Sequence, residues 1–334
     1  MKKVIVFLSF IVVLISCSTK DKPFQNIIIR GEVFGTIYSI SYFSPDGKNY
    51  KLEIDSLFNE FNNSLSYYQP QSLISRINRN ETDIPDKYFL KVLNKAKQIS
   101  EETNGAFDVT VTPLVNLWGF GFEKKSDVTR KKIDSVLDFV GYNKARIESG
   151  RIVKDDPRVM FDFNAIAKGY AADVIGEFLE MNGVSSFMVE IGGDLIAKGL
   201  KPGDKKWRIG IERPAKEFDD PQDWQYLIEL HNQAIATSGN YRRYYEKDGI
   251  KYSHTITPQT GYPTENTLLS ASVIAGDAMT ADAYATAFMV MGLEKAIEFV
   301  EAKQDIEAFF IYSKTKDELG TFKSSGILVV EREK

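Results

Sequence analysis

Asp282 and Thr286 stand four residues apart in a stretch, Gly276 to Gly292, made of small and apolar residues. That composition, following a strand-like run from Leu268 to Ala275, predicts a helix packed closely on its surroundings. At a spacing of four, a carboxylate and a hydroxyl stack on one helix face. Such an oxygen pair suits a hard cation such as Mg²⁺. A plainer reading exists: an aspartate near a helix start favours the dipole, and a threonine often bonds back to its own helix. Two oxygens fall short of a coordination sphere, so the rest of the chain must supply more ligands and something for a cation to hold.

Four other segments carry chemistry-bearing residues. Asp162 lies at the end of a strand-like run, Val159 to Phe163, and the small-residue turn after it opens a helix at Lys168-Gly169. This arrangement can cradle an anion, although it lacks P-loop spacing, and a capped helix with its lysine in solvent explains it equally. Gly192-Gly193-Asp194 follows a strand and lets the backbone approach a ligand or simply turn. His254, one of 2 histidines, is flanked by hydroxyls and a Pro-x-Thr-Gly turn, where acid-base or phosphate work fits, as does a structural role in a strand. Gly105 to Asp108 places a helix cap, a ring and a carboxylate in succession. That is either a stacking face with an acceptor or an ordinary turn from helix to strand.

The elements that must position these residues are mixed. The 334-residue chain is 43% hydrophobic and 26% charged, enough for a large core, and its net charge of −4 without a basic stripe points away from nucleic acid. Helices are expected over Leu52 to Leu65, Phe89 to Thr103, Ile133 to Val140, from Lys168 to Asn182, and near Leu293 to Val300. Strands are expected from Ile27 to Phe43, over Phe187 to Ile191, Trp207 to Ile211, Tyr226 to Leu230, Ala234 to Thr237, Tyr252 to Ile256 and Glu307 to Tyr312, and at Gly326 to Val330. No repeat or linker divides them and βαβ alternation is absent, so the expected class is α+β in one large domain.

The N-terminus reads differently. Lys2 and Lys3 precede an apolar run from Val4 to Ile15, too short to span a bilayer comfortably, and then Leu14-Ile15-Ser16-Cys17. This resembles the lipobox of bacterial lipoproteins, with Cys17 as the lipidated residue. Cys17 is the chain's 1 cysteine, so it has no disulfide partner. Residues 1–16 are expected to be a signal peptide and 17–26 a lipidated tether. The protein would then be lipid-anchored in the cell membrane and face the periplasm.

Taken together and in order, five segments resemble one family. They are Gly105-Ala-Phe-Asp-Val-Thr-Val-Thr-Pro-Leu-Val, Asp162-Phe-Asn-Ala-Ile-Ala-Lys-Gly-Tyr-Ala-Ala-Asp, Gly192-Gly-Asp, His254-Thr-Ile-Thr-Pro-Gln-Thr-Gly and Asp277-Ala-Met-Thr-Ala-Asp-Ala-Tyr-Ala-Thr-Ala. They are similar to the ApbE flavin transferases, FAD:protein FMN transferases of the bacterial periplasm. The resemblance implies a central flavin-binding cleft within a catalytic domain spanning 27–334, and Mg²⁺ on the FAD pyrophosphate. It assigns the metal to Asp282, Thr286 and the backbone carbonyl of Ala165. It assigns FAD contacts to Tyr68, Ala106, Phe107, Asp108, Asp162 and Lys168. FMN would pass to a threonine hydroxyl of a partner protein, a subunit of a membrane electron-transfer complex, and AMP would leave. His254 is assigned to the site as base for that hydroxyl or as a phosphate contact. Phe34 and Asn164 depart from the family pattern, which often has Met and Gly there. Two competing readings remain: a metal-dependent FAD pyrophosphatase that gives FMN and AMP, and a flavin-binding lipoprotein without catalysis.

Overall fold

The computed structural model describes residues 25–120, 128–212, 224–239, 244–247, 250–253, 255–315, 318–327 and 329–330. Cys17 and His254 fall outside the described residues, as do the expected signal peptide and most of the tether.

Period-two alternation starts the fold. β1 (Gln25–Val33) pairs antiparallel with β2 (Thr36–Ser44), and β2 buries Tyr38, Ile40 and Tyr42 on one face. Helices α1 (Lys51–Leu65), α2 (Leu73–Asn78) and α3 (Lys87–Glu102) follow. In α3, Phe89, Val92, Leu93, Ala96 and Ile99 bury one stripe, and Asp86 caps the start by accepting from Phe89 N at 2.9 Å. Next come α4 (Thr112–Leu117), α5 (Arg130–Leu137) and the hairpin of β3 (Ala145–Glu148) and β4 (Arg151–Lys154). After α6 (Ala167–Met181), β5 (Phe187–Ile191) turns into β6 (Asp194–Lys198) through Gly192 and Gly193, both at positive φ. Then come β7 (Trp207–Glu212), β8 (Trp224–Leu230), β9 (Gln233–Gly239), β10 (Tyr244–Lys247), β11 (Ile250–Ser253) and β12 (Leu268–Ala275). The chain continues through α7 (Ala278–Met291), α8 (Leu293–Ala302), β13 (Glu307–Ser313), β14 (Leu319–Lys323) and β15 (Val329–Val330).

Eight strands form one sheet in the order β1-β2-β5-β6-β9-β12-β13-β14, antiparallel at each pairing. Its two faces are both covered. On one, Ile40, Val189, Val273 and Phe310 join the main core with residues of α1, α3, α6, α7 and α8. On the other, Leu195, Ile235, Ile274, Phe309 and Ile311 meet Trp207, Ile211, Ile228 and Leu230 of the small sheet β15-β8-β7. The expected α+β single domain is therefore the observed one. α7 sits in its middle, buried on almost every side and packed on α6, β9 and β12.

The structure corrects several local expectations. Val159 to Phe163 joins no sheet. Its backbone is held instead by Asn78, which accepts from Phe161 N and donates to Phe161 O at 2.8 Å each, and by Asp162 N donating to Val109 O at 2.8 Å. Gly105 to Asp108 leads into the short helix α4 and not into a strand. The helix expected at Ile133 starts earlier, at Arg130, because Thr129 caps it, and it ends at Leu137. Among the described residues, no helix is long and apolar enough to cross a membrane.

Candidate active site

The site is built where the first turns of α6 and α7 cross. Gly169 permits the approach. A Cβ there would fall 2.9 Å from Asp282 Cβ and deeper still into the Ala278 carbonyl, so no other residue fits without parting the helices. Through that gap Gly169 N donates to Asp282 Oδ2 at 3.1 Å. Lys168 reaches from the same turn to two buried carboxylates: it bonds Asp194 at the start of β6 and stands 3.7 Å from Asp282 Oδ2.

Two carboxylates share that one ammonium, and burial decides their electrostatics. Burial pushes Asp282 up to about 7, and Asp194 adds to the rise; Lys168 and the Gly169 amide pull the other way without cancelling it. Burial also opposes the charge of Lys168, but Asp194 and Asp282 outweigh it and hold the ammonium well above its usual range. Among the described residues, that ammonium is the one cation within ion-pair distance of the two carboxylates.

Thr286 lies one turn on from Asp282, and its hydroxyl pairs with Ser238 of β9 at 3.1 Å. From Ala281 to Met289 it is the one residue that is not buried. The middle of the helix is thus part-exposed at Thr286, as its ends are at Thr280, Val290 and Met291. Ala165, in the turn before α6, adds an oxygen of its own: among the described residues, no backbone N–H donates to its carbonyl. A regular first turn would send Gly169 N there, but Asp282 has taken it.

These groups fit Mg²⁺. The donors are hard oxygens, a carboxylate is among them, and Mg²⁺ favours one or two carboxylates completed by water and substrate phosphates over an all-protein cage. Among the described residues, no group of three His, Cys, Asp or Glu side chains is placed to hold a metal ion.

The residues expected to contact the flavin fall in two groups. Asp162 and Lys168 flank the Ala165 turn. Asn164 spans them, its N–H donating to Asp162 Oδ1 at 2.8 Å and its side-chain amide to Tyr68 OH at 3.4 Å, so Tyr68, 63% exposed, overhangs the same turn. Burial raises Asp162 above its ordinary range. Asp108 is linked through the Val109–Asp162 backbone bond; its Oδ1 accepts from Thr110 N and Thr110 Oγ1 at 2.7 Å each, yet burial raises it as well. Ala106 is buried, and the Phe107 ring, 2% exposed, belongs to the main core and offers no stacking face. Phe34 likewise turns inward, against Phe58 and Phe61.

Sequence reasoning placed Asp194 in a turn and left Ser238 unassigned; each meets its partner only through the fold. Asp277 behaves as its position suggests, capping α7 by accepting from Thr280 N at 2.8 Å.

Fold and site together define an α+β protein in which two buried carboxylates share one lysine where two helix starts cross, with a part-exposed threonine one turn beyond. The pattern of the ApbE family matches residues 34–310, and the chain belongs to that family. It is 39% identical over 313 residues to the FAD:protein FMN transferase of Vibrio cholerae serotype O1, covering 91% of this chain and 92% of that one. It is 32% identical to the FAD:protein FMN transferase of Escherichia coli K12, covering 93% and 92%. Among solved structures, the flavin transferase ApbE from Vibrio cholerae superposes with a TM-score of 0.80 at 38% identity, over 91% of this chain and 98% of that one. The apo flavinyl transferase ApbE of Pseudomonas stutzeri superposes with a TM-score of 0.81 at 32% identity, over 91% and 96%.

Proposed function

We propose that this protein transfers FMN from FAD to a threonine hydroxyl of a partner protein with Mg²⁺ bound at the α6–α7 crossing. The observation that carries the reading is the arrangement of two buried carboxylates, Asp194 and Asp282, around one lysine, with the part-exposed Thr286 one turn on from Asp282. Asp282, Thr286 and the Ala165 carbonyl would hold the metal. Bound there, Mg²⁺ supplies the charge neutralisation that cleavage of a pyrophosphate needs. Lys168, fixed by Asp194, presents a second positive charge to the same phosphates. Asp162, Asn164 and Tyr68 line the turn on which the flavin half rests. In balance, the threonine oxygen bonds the FMN phosphorus, the bond to the AMP phosphate breaks, and the threonine proton leaves. We assign that proton, or a phosphate contact, to His254 on its sequence setting alone.

The relatives' names support FAD as donor and a protein as acceptor. For the acceptor we propose a subunit of a membrane electron-transfer complex. For the location we propose the periplasmic face of a membrane, with a lipid on Cys17.

The test incubates the protein with FAD and Mg²⁺, with and without a purified membrane redox subunit bearing a candidate threonine. Flavin fluorescence that stays on the denatured acceptor, with the mass of added FMN, supports transfer. Free FMN and AMP at the same rate in both arms, with an unlabelled acceptor, would instead identify a pyrophosphatase.

A further inference from the structure

The two helices that carry the site are fastened to each other by carboxylates running in both directions. From α7, Asp282 accepts from Gly169 N in the first turn of α6, at 3.1 Å. From α6, Asp173 accepts from the first turn of α7, its Oδ1 taking Ala278 N and its Oδ2 taking Met279 N at 2.8 Å each. Gly169 and Asp173 are four apart in α6, as are Ala278 and Asp282 in α7, so each pair shares one face. The result is a closed junction: each helix start is held by an aspartate of the other helix.

Ordinary capping does not account for Asp173. α7 already has its own cap in Asp277, which takes Thr280 N at 2.8 Å. Asp173 is only 7% exposed, and the charges that bear on it, Asp277 and Glu177, are both negative. A carboxylate so placed is a costly way to satisfy two amides. What it adds is geometry, since two oxygens on two successive N–H groups fix both the rotation of α7 about its axis and its register along α6.

That geometry is what the cation site requires. Thr286 lies eight residues beyond Ala278, about 12 Å along the helix axis, so a small rotation at the helix start displaces its hydroxyl. Two of the three oxygens assigned to the metal are on α7, and the third precedes α6. We propose that Asp173 is a positioning residue for the cation site, setting the separation of Asp282 and Thr286 from the Ala165 carbonyl through its hold on the Ala278 and Met279 amides. This rests on the cation site proposed above.

The test titrates Mn²⁺, read as free ion by electron paramagnetic resonance, into the full chain and its D173N and D282A variants at 25 °C. Asparagine matches aspartate in shape but puts an NH₂ against one of the two amides. D173N is expected to keep its circular dichroism, to weaken Mn²⁺ binding about tenfold, and to speed hydrogen exchange at Ala278 and Met279. Should D173N not fold, Asp173→Ser, with one acceptor and less bulk, carries the same measurement. If D282A loses Mn²⁺ while D173N binds it within about twofold of the parent, Asp173 is merely structural and this inference falls alone. If D282A binds Mn²⁺ as tightly as the parent, the cation site is wrong and this inference goes with it.

Discussion

Asp282 has two duties that one substitution separates. Its Oδ2 accepts the Gly169 amide that joins α6 to α7, while its charge is what a cation would require. Asp282→Asn keeps an oxygen for the amide and removes the charge; Asp282→Ala removes both. Both variants should lose FMN transfer by about 10²-fold or more, the scale of removing a charged group that binds a catalytic metal or a developing anion. Their stabilities should diverge. Because burial lifts Asp282 to about 7 in the fold, the metal-free protein loses stability as pH rises from the ordinary carboxylate range through that value. The asparagine variant, without that titration, should match or exceed the parent in urea at pH 8, while the alanine variant falls below it. An Asp282→Asn enzyme with activity within threefold of the parent would remove Asp282 from the metal. At this scale the sequence was partly legible. The spacing of Asp282 and Thr286 put both on one face, but Asp194 meets Lys168 across 26 residues, which no local pattern reports. Phe107 shows the reverse, a ring whose neighbours suggested a ligand and whose place is the core.

Helix α7 could be recognised because nearly every position obeys one rule: small or apolar, hence buried. α6 was readable from the small-residue turn at Lys168-Gly169 that opens it, but Asp173, an acid amid Tyr170, Ala171, Ala172, Val174 and Ile175, was not singled out, since its partners lie on another helix. Val159 to Phe163 misled because its apolar residues imitate a strand, while its backbone partner is the side chain of Asn78, 83 residues away from Phe161. Side-chain ties of that range leave no period in the sequence. Gly169 belongs to this scale, since its role is the distance between two helices. Gly169→Ala adds one methyl against Ala278 and Asp282 in a space that holds none. Parting α6 from α7 should cost about 1–3 kcal/mol, as overpacking does, even though alanine is the better helix former. Activity should fall further than stability, because the Gly169–Asp282 bond holds the Asp282 carboxylate that the proposed cation site uses. Chemical denaturation beside a transfer assay checks both. A Gly169→Ala protein more stable than the parent would mean that the helices have room.

The whole molecule holds the site from behind as well. On the side of α7 away from Thr286, Tyr284 donates to Glu102 at the end of α3, and Lys303, just past α8, meets the same carboxylate at 2.7 Å. Gln98 adds a bond at 2.8 Å, and the Lys303 ammonium lies 5.2 Å from the centre of the Tyr284 ring. One carboxylate thus ties α3, α7 and the end of α8 into the layer that presses α7 onto the sheet. Burial works against the charge of Glu102, but the hydrogen bonds from Lys303, Tyr284 and Gln98 outweigh it and hold the carboxyl down at about 2. A folded value below the unfolded one means that this stabilisation is complete above the ordinary glutamate range and is lost as pH falls through about 2. Glu102→Gln should therefore be less stable at pH 7 by about 1–2 kcal/mol, a few degrees in Tm, through loss of charge-assisted bonds. On acidification from pH 5 to 2 the parent should fall more steeply, until the two melting curves meet. Parallel curves across that range would show that Glu102 is not held down. If they converge while transfer at pH 7 stays near the parent's, the layer behind α7 supplies stability alone, and the site's geometry rests on the α6–α7 junction.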